Sequence, residues 1–431
     1  MYLLYSALMA AGLLLSLPYW MLARPHGKWR EGLGERLGKV PERLHAASTP
    51  AIWVHAVSVG EVLAVSELVR RLRSRFPKYR VVVSTTTATG QNLAKAHFGD
   101  ACVFYFPLDL AFAIRPYLSA LRPQLIVLAE TEFWPNFLRL AHASGARVAV
   151  VNARISDRSW PGYRRFRPVL RRVLQDVDLF LAQTAEDSSR LRDIGAPAER
   201  TQVSGNLKFD VTLPPAPPIV SDVRSSFLRA GGGPVIVCGS TVEGEEGLLL
   251  RAFENVLASH PKAIMILAPR RPERFNEVAG LLQQLGVRFW RRSSYSGDAL
   301  AGGVFLLDTI GELASLYALA DVAFVGGSLV PRGGHNIIEP AQHGVPIMVG
   351  NHTENFRDII SLFQSRDAVR VVGPAEFPLV LMDLLADQAE RIALGGRGAQ
   401  TLQSQMGATE KTLQALGRLL EAASSPHGLC H

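Results

Sequence analysis

Cysteine is scarce in this chain, with three in 431 residues: Cys102, Cys238 and Cys430. They lie too far apart for a disulfide framework or a C-x-x-C metal motif, so a reduced compartment is the simpler reading. Acidic residues are also in deficit, 38 against 46 Lys and Arg, giving a formal charge of +8 and a pI near 9.6. Such an excess suits nucleic acid, an anionic membrane surface or phosphorylated substrates. No zinc-finger spacing and no RNP-like aromatic motif is present, which makes nucleic acid the weakest of these partners. No P-loop and no complete G-x-G-x-x-G occurs, which disfavours kinase and dinucleotide-dependent chemistry. No short-period repeat is present, and biased composition is confined to Leu213–Pro218 and Gly231–Gly233.

Charge is absent altogether from Met1 to Ala23, a stretch rich in Leu, Ala and Met with Tyr2, Tyr5, Tyr19 and Trp20 near its ends. About 20 apolar residues are enough to cross a bilayer, and interfacial aromatics suit its rims. Arg24, His26, Lys28, Arg30, Arg36, Lys39 and Arg43 follow, a basic flank that the positive-inside rule places in the cytoplasm. The n-region lacks Lys and Arg and no A-x-A site follows, which argues against a secretory signal. The expectation is a membrane helix over residues 1–23, spanning the bilayer or, given Pro18, lying on its cytoplasmic leaflet.

Beyond it the chain alternates apolar runs with helix-length segments. Runs at 51–54, 80–84, 102–106, 125–129, 147–151, 178–182 and 201–204 are followed by a second series at 234–238, 263–268, 303–307, 322–325 and 345–349. That rhythm predicts βαβ units and two doubly wound α/β domains. The expected division is a first domain over 24–212, an extended proline-rich linker over 213–220, a second domain over 221–389 and a helical tail over 390–431. Ligands of such folds sit outside the carboxyl ends of the strands, so a cleft facing both sheets is the expected site.

Polar clusters fall at those strand ends. His55-Ala-Val-Ser-Val-Gly-Glu61 joins a strand to a helix, placing Glu61 where a carboxylate can accept a proton from an attacking hydroxyl. The alternative is a Ser58–Glu61 capping box. Ser84–Gly90 offers hydroxyls and amides to an anion, or simply caps its helix. Glu130 and Glu132 follow the run at 125–129, Asn152 and Arg154 that at 147–151, and Lys208 that at 201–204. In the second half, Gly239-Ser-Thr-Val-Glu-Gly-Glu-Glu246 and Ile310-Gly311-Glu312 open helices. Pro269-Arg270 puts a guanidinium at a strand end, shaped for phosphate. Gly326-Gly-Ser-Leu-Val-Pro-Arg-Gly-Gly-His-Asn336-Ile337-Ile338-Glu339 combines paired glycines with polar groups. There Glu339 suits ribose hydroxyls and Asn336 a phosphate.

Donor-type features in the second domain and a candidate base in the first favour a glycosyltransferase of the two-Rossmann, GT-B type. The alternatives are a GT-B enzyme with another nucleotide-sugar donor, a non-catalytic membrane-tethered nucleotide-binding protein, and an epimerase or dehydrogenase. The motifs above, in this order and spacing, resemble those of the bacterial Kdo (3-deoxy-D-manno-octulosonic acid) transferases of lipopolysaccharide synthesis, over nearly the whole chain. The resemblance implies transfer of Kdo from CMP-Kdo to the lipid A precursor at the cytoplasmic face of the inner membrane. It implies Glu61 as general base and Glu130 and Lys208 as transition-state stabilisers. It also implies CMP contacts at Pro269, Arg270, Ile310, Gly311, Glu312, Asn336, Ile337, Ile338 and Glu339. No metal and no cofactor is expected. One departure stands out: Val242 occupies a position where the family often carries His, and His335 is the nearest candidate to serve in its place.

Overall fold

The structure, a computed structural model, describes residues 1–22, 31–45, 49–210 and 217–424. The chain forms two compact units: Met1–Val211 with Gln405–His431, and Thr212–Ser404. The division falls at the proline-rich segment, of which residues 213–216 lie outside the described residues.

The first unit is built on β1 (Ala51–His55), β2 (Arg80–Thr85), β3 (Val103–Tyr105), β4 (Pro123–Ala129), β5 (Arg147–Ala153), β6 (Leu179–Ala182) and β7 (Thr201–Val203). All pairings are parallel, in the order β3-β2-β1-β4-β5-β6-β7. The apolar runs are continuous because both faces are covered. Trp53, Val82, Phe104, Ile126, Val148 and Phe180 enter one core. Their strand neighbours Ile52, Val54, Val83, Val127, Ala149 and Leu181 enter the other. The strand order reverses between β1 and β4, the topological switch point at which such sheets bind ligands.

The second unit repeats the plan with β8 (Val235–Thr241), β9 (Ile264–Pro269), β10 (Phe289–Arg291), β11 (Gly303–Leu306), β12 (Val322–Val325), β13 (Ile347–Val349) and β14 (Arg370–Val371). The order is β10-β11-β9-β8-β12-β13-β14, again all parallel. Its switch point lies between β8 and β12. The sequence did not suggest β10 and β14. Both are two- or three-residue edge strands with partly exposed, arginine-bearing sequences, so no apolar run marks them.

The tail expected over 390–431 divides between the units. The helix Gln388–Gln403 packs in the second unit, while Ala408–Ser424 returns to the first. There Leu413, Leu416 and Leu420 join the core. Asp210 secures this return by accepting bonds from the amides of Gly407, at 2.7 Å, and Thr409.

The spanning form of the amino-terminal anchor is not supported. A helix does run over Tyr2–Leu22, but no helix among the described residues is long and apolar enough to cross a membrane. Its first turns are bound to the body of the unit. Tyr2 Oη donates to Asp176 at 3.1 Å, Ser6 Oγ accepts from Asn136 Nδ2 at 2.9 Å, and Arg139 lies 4.8 Å from the centre of the Tyr2 ring. Of the basic flank, Arg36 and Arg43 are tied into the unit. Arg24, His26, Lys28 and Arg30 lie outside the described residues. Arg36 is buried, donating to the Thr86 carbonyl and stacking over Tyr105. Arg43 is committed to the carbonyls of Asp100 and Val103 and to Glu35.

Candidate functional site

At the first switch point, the helix Val59–Arg75 starts directly after β1, and Ser58 is its N-cap. The Glu61 carboxylate turns back over the helix start, accepting from the Val57 amide at 2.8 Å and the Ser58 hydroxyl at 2.9 Å. The capping box is therefore present, and it fixes the carboxylate rather than competing with it. Glu61 is only 8% exposed. Burial pushes its carboxyl up to about 7, the two hydrogen bonds oppose that rise, and the charges of Glu130 and Glu132 add to it. A carboxylate so tuned is a base that titrates near neutrality.

Glu130 follows β4 in the left-handed region at φ 58°, its amide donating to the Val151 carbonyl at 2.9 Å. Its carboxylate lies 3.8 Å from Lys208 Nζ, both side chains about one-third exposed. Lys208 is placed from below: Asn152, also left-handed at φ 54°, accepts the Leu207 amide at 3.0 Å, and Asn206 accepts the Lys208 amide. Such conformations cost about 1–3 kcal/mol each and collect at functional sites. Glu61, Glu130 and Lys208 thus come from the ends of β1, β4 and β7 of one sheet. Glu132, half-buried and accepting from Trp134 Nε1 at 3.0 Å, is a third carboxyl of the group, held high by burial. Its place two residues after Glu130 was the available signal.

Three of the Ser84–Gly90 hydroxyls are committed within the unit. Ser84 Oγ accepts from Trp53 and meets His55 Nδ1, Thr85 donates to Gln91, and Thr87 caps its own helix through the Gly90 amide. His55 is fully buried against Phe106, and burial keeps it neutral by pulling its imidazole down to about 3.

In the second unit, a cavity of about 440 Å³ is lined by Thr241, Val242 and Glu243 at and after the end of β8, Arg270, Arg271 and Arg274 after β9, and Arg332 and His335 after β12. His335, half-buried, is drawn down to about 4 by burial and by Arg270, so it is neutral at pH 7. It shares this cavity with Val242. Glu339 is also acted on by Arg270, which partly offsets the rise that burial imposes on its carboxyl. Asn336 accepts the Ile338 amide at 3.1 Å at the start of the short helix Ile338–Gln342, and Ile337 and Ile338 are core residues. Ile310 is 77% exposed and Gly311 adopts φ 93°. Glu312 is bound to Arg292 and Thr309. Pro269 ends β9 directly before Arg270.

Sequence reasoning did not anticipate the role of Glu245. Fully buried, its carboxylate accepts from the amides of Val242, Gly327, Ser328 and Leu329 at 2.7–3.0 Å. It ties the loop after β8 to the glycine-rich loop after β12. The glycines permit this closeness, since a Cβ on Gly326 would stand 2.8 Å from Glu245 Oε2.

Two doubly wound parallel units, each with polar groups gathered at its switch point, define a GT-B-like α/β protein. The fold matches, with a TM-score of 0.54, the UDP-GlcNAc 2-epimerase of Neisseria meningitidis bound to UDP-GlcNAc, at 13% identity over 86% of this chain and 100% of that one. The profile of the family described as 3-Deoxy-D-manno-octulosonic-acid transferase (kdotransferase) matches residues 31–211. The chain is 37% identical over 417 residues to the 3-deoxy-D-manno-octulosonic acid transferase of Bordetella pertussis, covering 92% of this chain and 94% of that one. It is 34% identical over 401 residues to the enzyme of the same name from Haemophilus influenzae, covering 91% and 92%. The chain belongs to the Kdo transferase family.

Proposed function

We propose that the protein transfers Kdo from CMP-Kdo to the glucosamine disaccharide of the lipid A precursor in lipopolysaccharide synthesis, by direct displacement and without a metal. The observation that carries the reaction is the Glu61 carboxylate, oriented by two hydrogen bonds and tuned by burial to about 7 beside Glu130 and Lys208. In the forward step Glu61 takes the proton of a glucosamine hydroxyl. The oxygen forms a bond to the anomeric carbon of Kdo as the bond from that carbon to the phosphate oxygen breaks, and CMP leaves with the electron pair. Arg270, Asn336 and the amides around Gly311 meet the leaving phosphate, while Glu339 holds the ribose hydroxyls. Lys208, steered by Glu130, supplies positive charge near the reacting centre.

An anionic lipid acceptor at a membrane surface is supported by two features of the first unit. Leu3, Leu4, Leu8 and Leu15 are 65–88% exposed on the amino-terminal helix. Arg164, Arg165, Arg167, Arg171 and Arg172 flank the 61%-exposed Phe166 on the helices Trp160–Arg165 and Arg167–Leu174, all open to solvent. Leucines with adjacent arginines suit an acidic leaflet. The site of action we propose is accordingly the cytoplasmic side of the inner membrane.

The donor assignment is tested by offering CMP-Kdo and UDP-GlcNAc in turn with a tetraacylated lipid A precursor and following nucleotide release. Acceptor-dependent release of CMP is expected. Release of UDP with no CMP would overturn it.

A further inference from the structure

The cavity of the second unit holds more positive charge than one phosphate requires. Arg274 is already neutralised, bonded twice to Glu246, at 2.6 and 3.2 Å, and to Glu277 at 2.8 Å. His335 is neutral. Three guanidinium groups then face one lining carboxylate, Glu243, an excess of two positive charges. Arg270 has the electrostatic company of Glu339 and His335. Arg271 and Arg332 are exposed and, among the described residues, make no side-chain hydrogen bond or ion pair. They project from different loops, after β9 and near the end of the β12 loop, onto the same space.

The backbone says what kind of second anion belongs there. A glycine-rich loop at the switch point of a doubly wound sheet ordinarily offers its amides to a diphosphate. Here those of Gly327, Ser328 and Leu329 are consumed by Glu245, an acceptor supplied by the chain itself. A negative diphosphate would have to displace a buried carboxylate of like charge. What the lining of this cavity leaves for anions is side-chain charge, in two places.

Resting on the donor reading above, we infer that Arg271 and Arg332 form a receptor for the carboxylate of the donor's sugar acid, separate from the phosphate contact at Arg270. Planar guanidinium groups suit a carboxylate in bidentate fashion. The donor class is then set twice, by a pair of arginines that want an acidic sugar and by Glu245, which denies a diphosphate its usual amide cradle.

The test is calorimetric titration of the full-length protein with CMP, CMP-Kdo and UDP-GlcNAc, for wild type, Arg271→Met, Arg332→Met and the charge-retaining Arg332→Lys. Wild type is expected to bind CMP-Kdo more tightly than CMP and to bind UDP-GlcNAc poorly. Each Met variant should weaken CMP-Kdo by about tenfold or more while moving CMP by less than about twofold, with partial recovery in Arg332→Lys. Equal losses for CMP and CMP-Kdo would make these arginines phosphate ligands and overturn the inference. Unchanged CMP-Kdo affinity in both Met variants, with unaltered melting temperatures, would also overturn it. If wild type binds UDP-GlcNAc and not CMP-Kdo, the donor reading itself fails, an outcome told apart by the wild-type arm alone.

Discussion

In the proposed mechanism Glu61 both holds its helix and takes the proton, and the two roles share one set of contacts. The Val57 amide and Ser58 hydroxyl aim the carboxylate, and burial raises it to about 7. The base is the ionised form, so kcat/KM should climb with pH and level off above about 7, falling as Glu61 is protonated below it. Glu61→Gln keeps a side chain that can accept from Val57 and reach Ser58, so the fold should persist while kcat falls by about 10²–10⁴. Stability provides an independent check. A carboxyl whose folded value lies above its unfolded value near 4.5 opposes folding once it ionises, a penalty absent below about 4.5 and complete above about 7. Glu61→Gln should therefore melt no lower than wild type at pH 8, by calorimetry. Lys208→Ala should lower kcat by roughly 10²–10³ if its charge acts at the transition state, measured at saturating donor. At this scale the strand ends that carry Glu61, Glu130 and Lys208 were legible as polar residues following apolar runs. The roles proposed for them come from the family resemblance and, for Glu61 and Lys208, are tested by the variants above. Glu245 was not legible. Three of its four partners lie more than 80 residues away, and only the sheet order brings β8 beside β12.

Elements were legible where their signal is local. The long buried strands declared themselves as apolar runs, and helices by their period between them. The edge strands β10 and β14 did not, since an edge needs no apolar run. The amino-terminal helix carries a feature that is not local: composition allowed a spanning or a surface-lying segment, and Tyr2 and Ser6 are spent on contacts with the body of the unit, a tertiary fact that composition does not carry. Its exposed leucines remain. Leu3→Ser, Leu4→Ser and Leu8→Ser together should reduce binding to vesicles containing anionic lipid by roughly tenfold or more, since each loses about 1–2 kcal/mol of apolar transfer, as read by co-flotation. Unchanged co-flotation would remove this helix from the membrane contact. In the second unit, Glu245→Ala would orphan four buried amides, and a loss of ~3 kcal/mol or more is expected in chemical denaturation.

Across the whole molecule, the repeated plan of two parallel sheets was readable because strand–helix alternation restarts after the proline-rich segment. The division of the carboxyl-terminal tail was not, because both helices look alike in sequence. Tertiary contacts, among them the anchoring of Gly407 and Thr409 by Asp210, show where the chain turns back. The proposed chemistry needs only side chains and amides, so transfer should survive excess EDTA with rates within about twofold. A loss restored by added divalent cation would contradict the metal-free displacement. The most direct test of the central claim is the mass of a tetraacylated lipid A precursor after incubation with CMP-Kdo and either wild type or Glu61→Gln at pH 8. Wild type should convert the acceptor to a Kdo-bearing product, while the variant, folded and still able to bind CMP-Kdo, leaves it unchanged. An unmodified acceptor with wild type, or full conversion by Glu61→Gln, would contradict the assignment.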